Sequence, residues 1–377
     1  MYDIINLDKK IEENKIFFGT RSKYFRIDRV SHSIAKSLKE KSEGNTWFTR
    51  EIDMKLDKTR FISLPENVKR IFKLNIAYQT LMDSGVTTGI SEVFLKNFSS
   101  PIWECLYRRI SMEENIHSES YSYGLSEVFG SEAGEILDLV YDDPMVKKRL
   151  DIERNLFGNL EDLANSDIVN KVNDNETLMD PYKTNLLKTI LGLLCLEFIK
   201  FPFSFLITFI INDKYNNSIP GFTRTIQLIA HDELNIHVPT GIYLLEILKK
   251  EEYQDFFHLF DENFYNFIEN LITRTVDSEI EWANYLINND EFAISVNSCE
   301  YFIKHRAFLL GEILKNKISF NKNIYESFKE RNFLTEFFEN YRSINKSNSA
   351  LQETDNTSYQ KGIIKNDLYN INPKDYE

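Results

Sequence analysis

Two acid–histidine pairs and two lone acids hold most of the chemistry available to this sequence. The first pair lies in EENIHSESY, residues 113–121, where Glu114 and His117 are three apart and Tyr121 follows four later. On a helix all three share a face. That face is either a solvated acidic patch or half of a metal site with an oxidisable phenol beside it. The second pair lies in HDELNIHV, where Glu233 and His237 are four apart. On a helix, i+3 sits about 60° to one side of residue i and i+4 about 40° to the other, so both spacings can aim at a common point. A π-bulge, frequent at functional sites, is the best way to absorb the longer spacing.

The lone acids are Asp83, which ends the apolar-periodic IAYQTLMDS, and Glu197, inside LLCLEFIKFPF. Asp83 by itself reads as a polar group at a helix C-terminus. Glu197 has almost only apolar neighbours, so a carboxylate buried there must be paired, protonated or metal-bound. His117 by itself reads as a satisfied surface or core histidine, and His237 as a partly exposed helix residue before Val-Pro. The ensemble changes these readings. The groups fall on four separate expected helices in the order Asp, Glu-x-x-His, Glu, Glu-x-x-x-His. A dinuclear site in a four-helix bundle needs such a donor set. Carboxylates with a few imidazoles suit iron or manganese, whereas a sulfur-rich set would favour zinc or an iron–sulfur cluster.

The elements that must position these groups are helical. LPENVKRIFKLNIAYQTLMDS repeats apolar residues at helical spacing after an early Pro. SGVTTGIS, residues 84–91, reads as a break, followed by a helix over 92–99. Pro101 opens the next helix, which reaches about Phe129. A helical pair is expected over 131–164, and further helices over 184–211, 222–250, 253–288 and 293–315. Strand signals are almost absent. The expectation is an all-α, ferritin-like helical bundle. It comprises an N-terminal arm with short helices over 1–60, the bundle over 61–342 and a flexible, polar tail over 343–377.

Bulk properties exclude several classes. The 377 residues are 42% hydrophobic, enough for a large core, and Gly 13 and Pro 8 are too few for a turn-rich β-sandwich. A formal net charge of −13 disfavours nucleic acid and anionic membranes. Cys105, Cys195 and Cys299 are far apart and form no CxxC pair, which argues for a reducing, cytoplasmic compartment. The run LGLLCLEFIKFPFSFLITFII has membrane-spanning length, but Glu197, Lys200 and Pro202 in its middle favour a helix buried in a bundle.

With these residues in hand, the chain resembles the radical-generating small (β) subunit of class I ribonucleotide reductase, from about residue 16 to the C-terminus. Trp47 stands before LPENVKRIF and YQTLMDS as the family's Trp precedes its first aspartate ligand. EENIHSESY resembles the family's SETIHSRSY, LEFIKFPFSF its LEGIRFYVSF, LIAHDE its LIARDE, EWANYL its DWADYL, and ALQETDNTSYQKG its APQEVEVSSYLVG. The resemblance implies that Asp83, Glu114 and His117 bind one iron, and Glu197, Glu233 and His237 the other, with manganese as the other candidate metal. It implies that Tyr121 is oxidised to a stable radical in an apolar pocket of Phe201, Phe205 and Ile229. Asp232 would link His117 to Trp47 along a radical-transfer route, and Tyr359 in the tail would hand the hole to the large (α) subunit. It also implies a homodimer. Glu113 and Glu119 are read as neighbours on other faces. The departures from the family are the Glu-x-x-x-His spacing, His231 in place of Arg and Pro202 in place of Tyr.

Two other functions use the same ligands. One is a stand-alone ferritin-like di-iron oxidase or oxygenase, which has no role for QETDNTSY. The other is iron storage or a helical interaction module, which needs neither Trp47, Asp232 and Tyr121 in these relations nor a phenylalanine-lined pocket.

Overall fold

A computed structural model describes residues 15–19, 31–165, 179–287 and 292–343. The tail from residue 344 onward, with Tyr359, lies outside the described residues. Among those described, the elements are helical, and the one extended pairing is an isolated bridge between Phe17 and Phe98.

Three rods hold the centre. The first is α3 (Glu66–Thr88); two short helices, α1 (Ser33–Gly44) and α2 (Lys55–Arg60), precede it. The expected break over 84–91 is absent. α3 runs to Thr88 and passes into a π-helical segment, Gly89–Phe94, then a 3-10 turn, Leu95–Asn97, in place of the helix expected over 92–99. The hydroxyl residues that suggested a turn serve the helix instead. Thr87, Thr88 and Ser91 donate to the carbonyls of Asp83, Ser84 and Thr87, one turn back. Gly89 admits the ring of Phe157, one atom of which lies 2.5 Å from where a Cβ would stand.

The second rod, α4 (Pro101–Phe129), starts with Pro at its first turn, where a missing N–H costs nothing, and stops at Gly130 with φ +58°. α3 packs along it. Next come α5 (Ala133–Asp142), α6 (Pro144–Arg149) and α7 (Asp151–Asn165).

The third rod is the long apolar run: α8 (Met179–Cys195), a π-helical turn over Leu196–Lys200, and α9 (Phe201–Lys214). It alone among the described residues is long and apolar enough to cross a membrane, and 89% of its apolar window is buried inside the fold. The lysine in its middle is paired. Lys200 is fully buried and donates to both oxygens of Glu153 (2.8 and 2.9 Å) and to the carbonyl of Arg149 (2.6 Å). Arg149 makes a two-pronged pair with Glu279 at 2.8 and 2.6 Å. Pairing of this kind is what allows charges inside a core. Pro202 has no N–H to give to the carbonyl of Phe198, and that carbonyl accepts from Arg306 Nε at 2.9 Å instead.

α10 (Pro220–Asp232), a π-helical turn over Glu233–His237 and α11 (Val238–Lys250) follow, then α12 (Glu262–Leu286), α13 (Val296–Ile318) and α14 (Phe333–Tyr341). The helix expected over 253–288 starts later, at Glu262, where the Asp261 side chain caps it by accepting from Phe264 N. α9 packs against α3 and α10, and α10 against α4, which closes the bundle around its centre.

The start of α10 is held from a distance. Asp57 on α2 accepts from the backbone N–H groups of Gly221 (2.7 Å) and Phe222 (2.9 Å). Gly221 has no room for a side chain, since a Cβ would lie 2.9 Å from Asp57 Oδ2. Asp57→Ala leaves two buried donors at this helix start without an acceptor. It is expected to lower the stability of the metal-free chain by about 1–2 kcal/mol in urea unfolding, and Asp57→Asn is expected to recover only part of that, since its single amide oxygen can accept from one of the two N–H groups. An unchanged midpoint in the alanine variant would show that the cap carries no weight.

Candidate metal centre

Asp83 lies one turn before the end of α3, Glu114 and His117 lie mid-way along α4, Glu197 is in the π-turn between α8 and α9, and Glu233 and His237 bound the π-turn between α10 and α11. All six are buried. They form two overlapping groups, Asp83–Glu114–His117–Glu233 and Glu114–Glu197–Glu233–His237, and within each group the ligand atoms lie within 4.8 Å of one another. Glu114 and Glu233 belong to both groups, so either could serve two ions at once.

The longer spacing at 233–237 is absorbed by a π-turn that covers those five residues. His237 Nδ1 lies 2.8 Å from Glu233 Oε2 and 3.1 Å from Glu114 Oε1. His117 Nδ1 lies 3.0 Å from Glu233 Oε1 and 3.6 Å from Glu114 Oε2. Despite these short distances, both Nδ1 atoms and both oxygens of Asp83, Glu114 and Glu233 have no hydrogen-bond partner, nor has Glu197 Oε2. The atoms aim at shared centres rather than at each other. A core does not ordinarily leave so many polar atoms unpaired. Two divalent cations would satisfy them and balance the four carboxylates, with both imidazoles neutral, so the residues present fit a dinuclear metal group.

The electrostatics agree. Burial, then the charge of Glu114, holds Asp83 well above the usual carboxylate range, and burial with Glu233 and Glu114 does the same to Glu197. Burial would raise Glu233 too, but the positive charge on His237 holds it below its ordinary value. Burial would lower both histidines. Asp232, Glu114 and Glu233 raise His117 instead, and Glu233 with Glu113 and Glu114 raises His237. Without metal, protons occupy positions that cations would otherwise take.

Asp232, at the end of α10, uses one oxygen twice. Oδ2 accepts from Trp47 Nε1 at 2.8 Å and from His117 Nε2 at 3.3 Å. The Trp47 ring lies nearly parallel to that of His117, 6.0 Å between centroids and 14° apart. Trp47 is only 3% exposed. Tyr121 is wholly buried, its hydroxyl has no partner, and burial followed by the charges of Asp83, Glu233, Glu114 and Glu197 pushes its pKa well up. Phe201, Phe205 and Ile229 are wholly buried, with the two rings stacked 5.7 Å apart. A cavity of about 20 Å³ is lined by Glu114, Glu197 and His237 together with apolar residues that include Val86, Ile90 and Leu194.

The family model described as "Ribonucleotide reductase, small chain" matches residues 24–328. The chain belongs to the ribonucleotide reductase small-chain family. The ribonucleoside-diphosphate reductase subunit beta of Buchnera aphidicola subsp. Schizaphis graminum is 26% identical over an alignment, gaps included, of 386 positions that covers 96% of this chain and 95% of that one. Two solved structures share the fold. The ribonucleotide reductase R2 subunit from Clostridium botulinum has a TM-score of 0.76 at 19% identity, covering 90% of this chain and 98% of that one. The dimanganese(II)-NrdF of Streptococcus sanguinis has a TM-score of 0.63 at 18% identity, covering 85% and 100%.

In this ribonucleotide reductase small chain, one residue beside the centre stands where the sequence reading did not put it. The sequence places Glu113 only as a neighbour on another face of α4, with no contact to the site. In the structure Glu113 is 3% exposed and its Oε2 lies 3.1 Å from His237 Nε2. Its contact crosses from α4 to the π-turn, and no periodicity within EENIHSESY reports a partner 124 residues away. The signal that could have found it was the lengthened Glu–His spacing, which calls for a partner to hold the re-aimed ring.

Proposed function

We propose that this chain is the radical-generating small subunit of a ribonucleoside-diphosphate reductase, with Asp83, Glu114, His117, Glu197, Glu233 and His237 as the ligands of two metal ions. The observation that carries the reading is the convergence of those six side chains with their inward atoms unpaired, beside a buried tyrosine and a Trp47–Asp232–His117 chain. Two redox-active ions bound there, iron or manganese, supply the oxidising power drawn from dioxygen. Both metals suit the donor set, and a manganese-loaded relative of this fold exists.

The chain's own residues do the rest. Tyr121 gives up an electron and its phenolic proton. Asp83 is the carboxylate whose charge weighs most on that hydroxyl after burial itself, and the hydroxyl has no hydrogen-bonded base of its own. Phe201, Phe205 and Ile229 keep water and reductants from the resulting radical. Trp47 Nε1–H donates to Asp232, so the indole can lose an electron while its proton moves to the carboxylate, and the hole can pass between the centre and the surface. Tyr359 in the tail would continue that route to the large subunit. A homodimer in the cytoplasm is the expected form; the family and the three free thiols, Cys105, Cys195 and Cys299, support it.

The test is reconstitution. Metal-free protein is loaded anaerobically with ferrous iron, or in parallel with Mn(II), and exposed to oxygen. The expected result is two ions per chain, a tyrosyl EPR signal with at least one metal, and deoxyribonucleotide formation only after a large subunit is added. No radical with either metal would overturn the reading, and so would turnover without the large subunit.

A further inference from the structure

We propose that Glu113 is a positioning residue of the metal half-site that contains His237, fixing that imidazole so that Nδ1 faces the ions. The inference deepens the dinuclear reading and rests on it. Glu113 sits on α4 directly before the ligand Glu114, yet its carboxylate reaches the other half-site. Oε2 is 3.1 Å from His237 Nε2, and a carboxylate can only accept, so Nε2 carries the proton and Nδ1 keeps its lone pair for a metal. That Nδ1 is the atom 2.8 Å from Glu233 and 3.1 Å from Glu114, with no hydrogen-bond partner of its own.

The carboxylate is itself held. Ser42 Oγ on α1 donates to Glu113 Oε1 at 2.5 Å, Arg109 Nε lies 3.4 Å from the same oxygen, and Arg109 Nε donates to Ser42 at 2.8 Å. α1 also grips the π-turn directly, since Lys41 Nζ donates to the carbonyl of Asn235 at 3.0 Å. The arrangement repeats the logic of the other half-site, where Asp232 fixes His117 through its Nε2.

Two departures from the family blocks meet in this one contact. SETIHSRSY has Ser at the position of Glu113, and the family's Glu–His pair is one residue shorter than Glu233–His237. The added residue moves His237 onto a π-turn, where the backbone aims the ring differently from a regular turn. A carboxylate at 113 gives the re-aimed ring a fixed acceptor. A serine there is too short to reach across.

The test is Mn(II) titration of the metal-free full chain under anaerobic conditions, with free and bound Mn(II) counted by EPR. The wild type is expected to bind two ions. Glu113→Ser, the family's own residue, is expected to leave the first ion bound as before and to weaken the second about 10–100-fold. Glu113→Gln, whose amide oxygen still accepts from Nε2–H, is expected to restore the second step to within a few-fold. A role in folding alone would not separate serine from glutamine in this way. His237→Ala is expected to lose the second ion, and Glu113→Ser in that background to add nothing further. Two ions bound with wild-type affinity by Glu113→Ser would overturn the proposal while leaving the dinuclear reading intact, as would a further loss on top of His237→Ala. A wild-type chain that binds fewer than two ions would overturn both.

Discussion

Tyr121→Phe is expected to abolish the radical signal and all nucleotide reduction, with both metal ions still bound. The variant removes one oxygen atom from a fully buried side chain whose hydroxyl has no hydrogen-bond partner. No donor or acceptor loses its mate, so the stability cost should be within about 1 kcal/mol. The ring that remains has no acidic proton to lose with an electron, and its oxidation is out of reach of the same centre. The loss should therefore be complete, unlike a graded loss of fit. The measurement is a pair: ions per chain by metal analysis, and EPR after exposure to oxygen. A surviving tyrosyl signal would assign the radical elsewhere. A drop in metal content would show that Tyr121 contributes to binding, which its unpartnered hydroxyl gives no reason to expect.

How far the centre was legible in the sequence depended on whether a contact was local. Glu114 and His117 share a regular helix, so their spacing alone put them on one face. Glu197 stood out because a carboxylate in LLCLEFIKFPF has no apolar alternative role. The π-turn at 233–237 followed from arithmetic: one residue too many between two groups that must aim at the same point. Non-local contacts were harder to read. Asp83 meant little until three other helices were placed around it. Lys200 looked like a charge stranded in an apolar run, and its partner Glu153 comes from α7, 47 residues earlier. Glu113 was read only as a neighbour on another face because helical periodicity describes one helix, whereas its contact is made to another. The segment 84–91 was taken for a break because Ser, Thr and Gly are turn formers on average. Here the hydroxyls return hydrogen bonds to their own helix, and Gly89 is occupied from outside by Phe157. The long-range partners lie beyond what a local pattern reports, and the hydroxyls at 87–91 satisfy a helix as readily as a turn.

The second large effect is expected at the other end of the site. Trp47→Phe should leave the metal ions and the Tyr121 radical in place, while turnover with the large subunit falls by about 10³-fold, equivalent to about 4 kcal/mol added to the barrier. Phenylalanine keeps a ring over His117, where the indole now lies 14° from parallel, but it loses the N–H given to Asp232 and is far harder to oxidise. Asp232 Oδ2 still accepts from His117, so that imidazole remains oriented and the ions remain held. Asp232→Ala provides the contrast. It removes the acceptor shared by Trp47 and His117, so metal affinity should also fall, by about 10–100-fold. The first variant thus breaks the chain on one side of the carboxylate, and the second removes the carboxylate itself. If Trp47 served only to pack the core, Trp47→Phe would reduce stability and metal content together, and reduction of nucleotides would track the amount of radical formed. If it carries the hole, turnover falls while the radical persists, with the affinity for the large subunit unchanged. Normal turnover by a Trp47→Phe chain with a full complement of radical would remove Trp47 from the route and leave the Trp47–Asp232 hydrogen bond as a structural link alone.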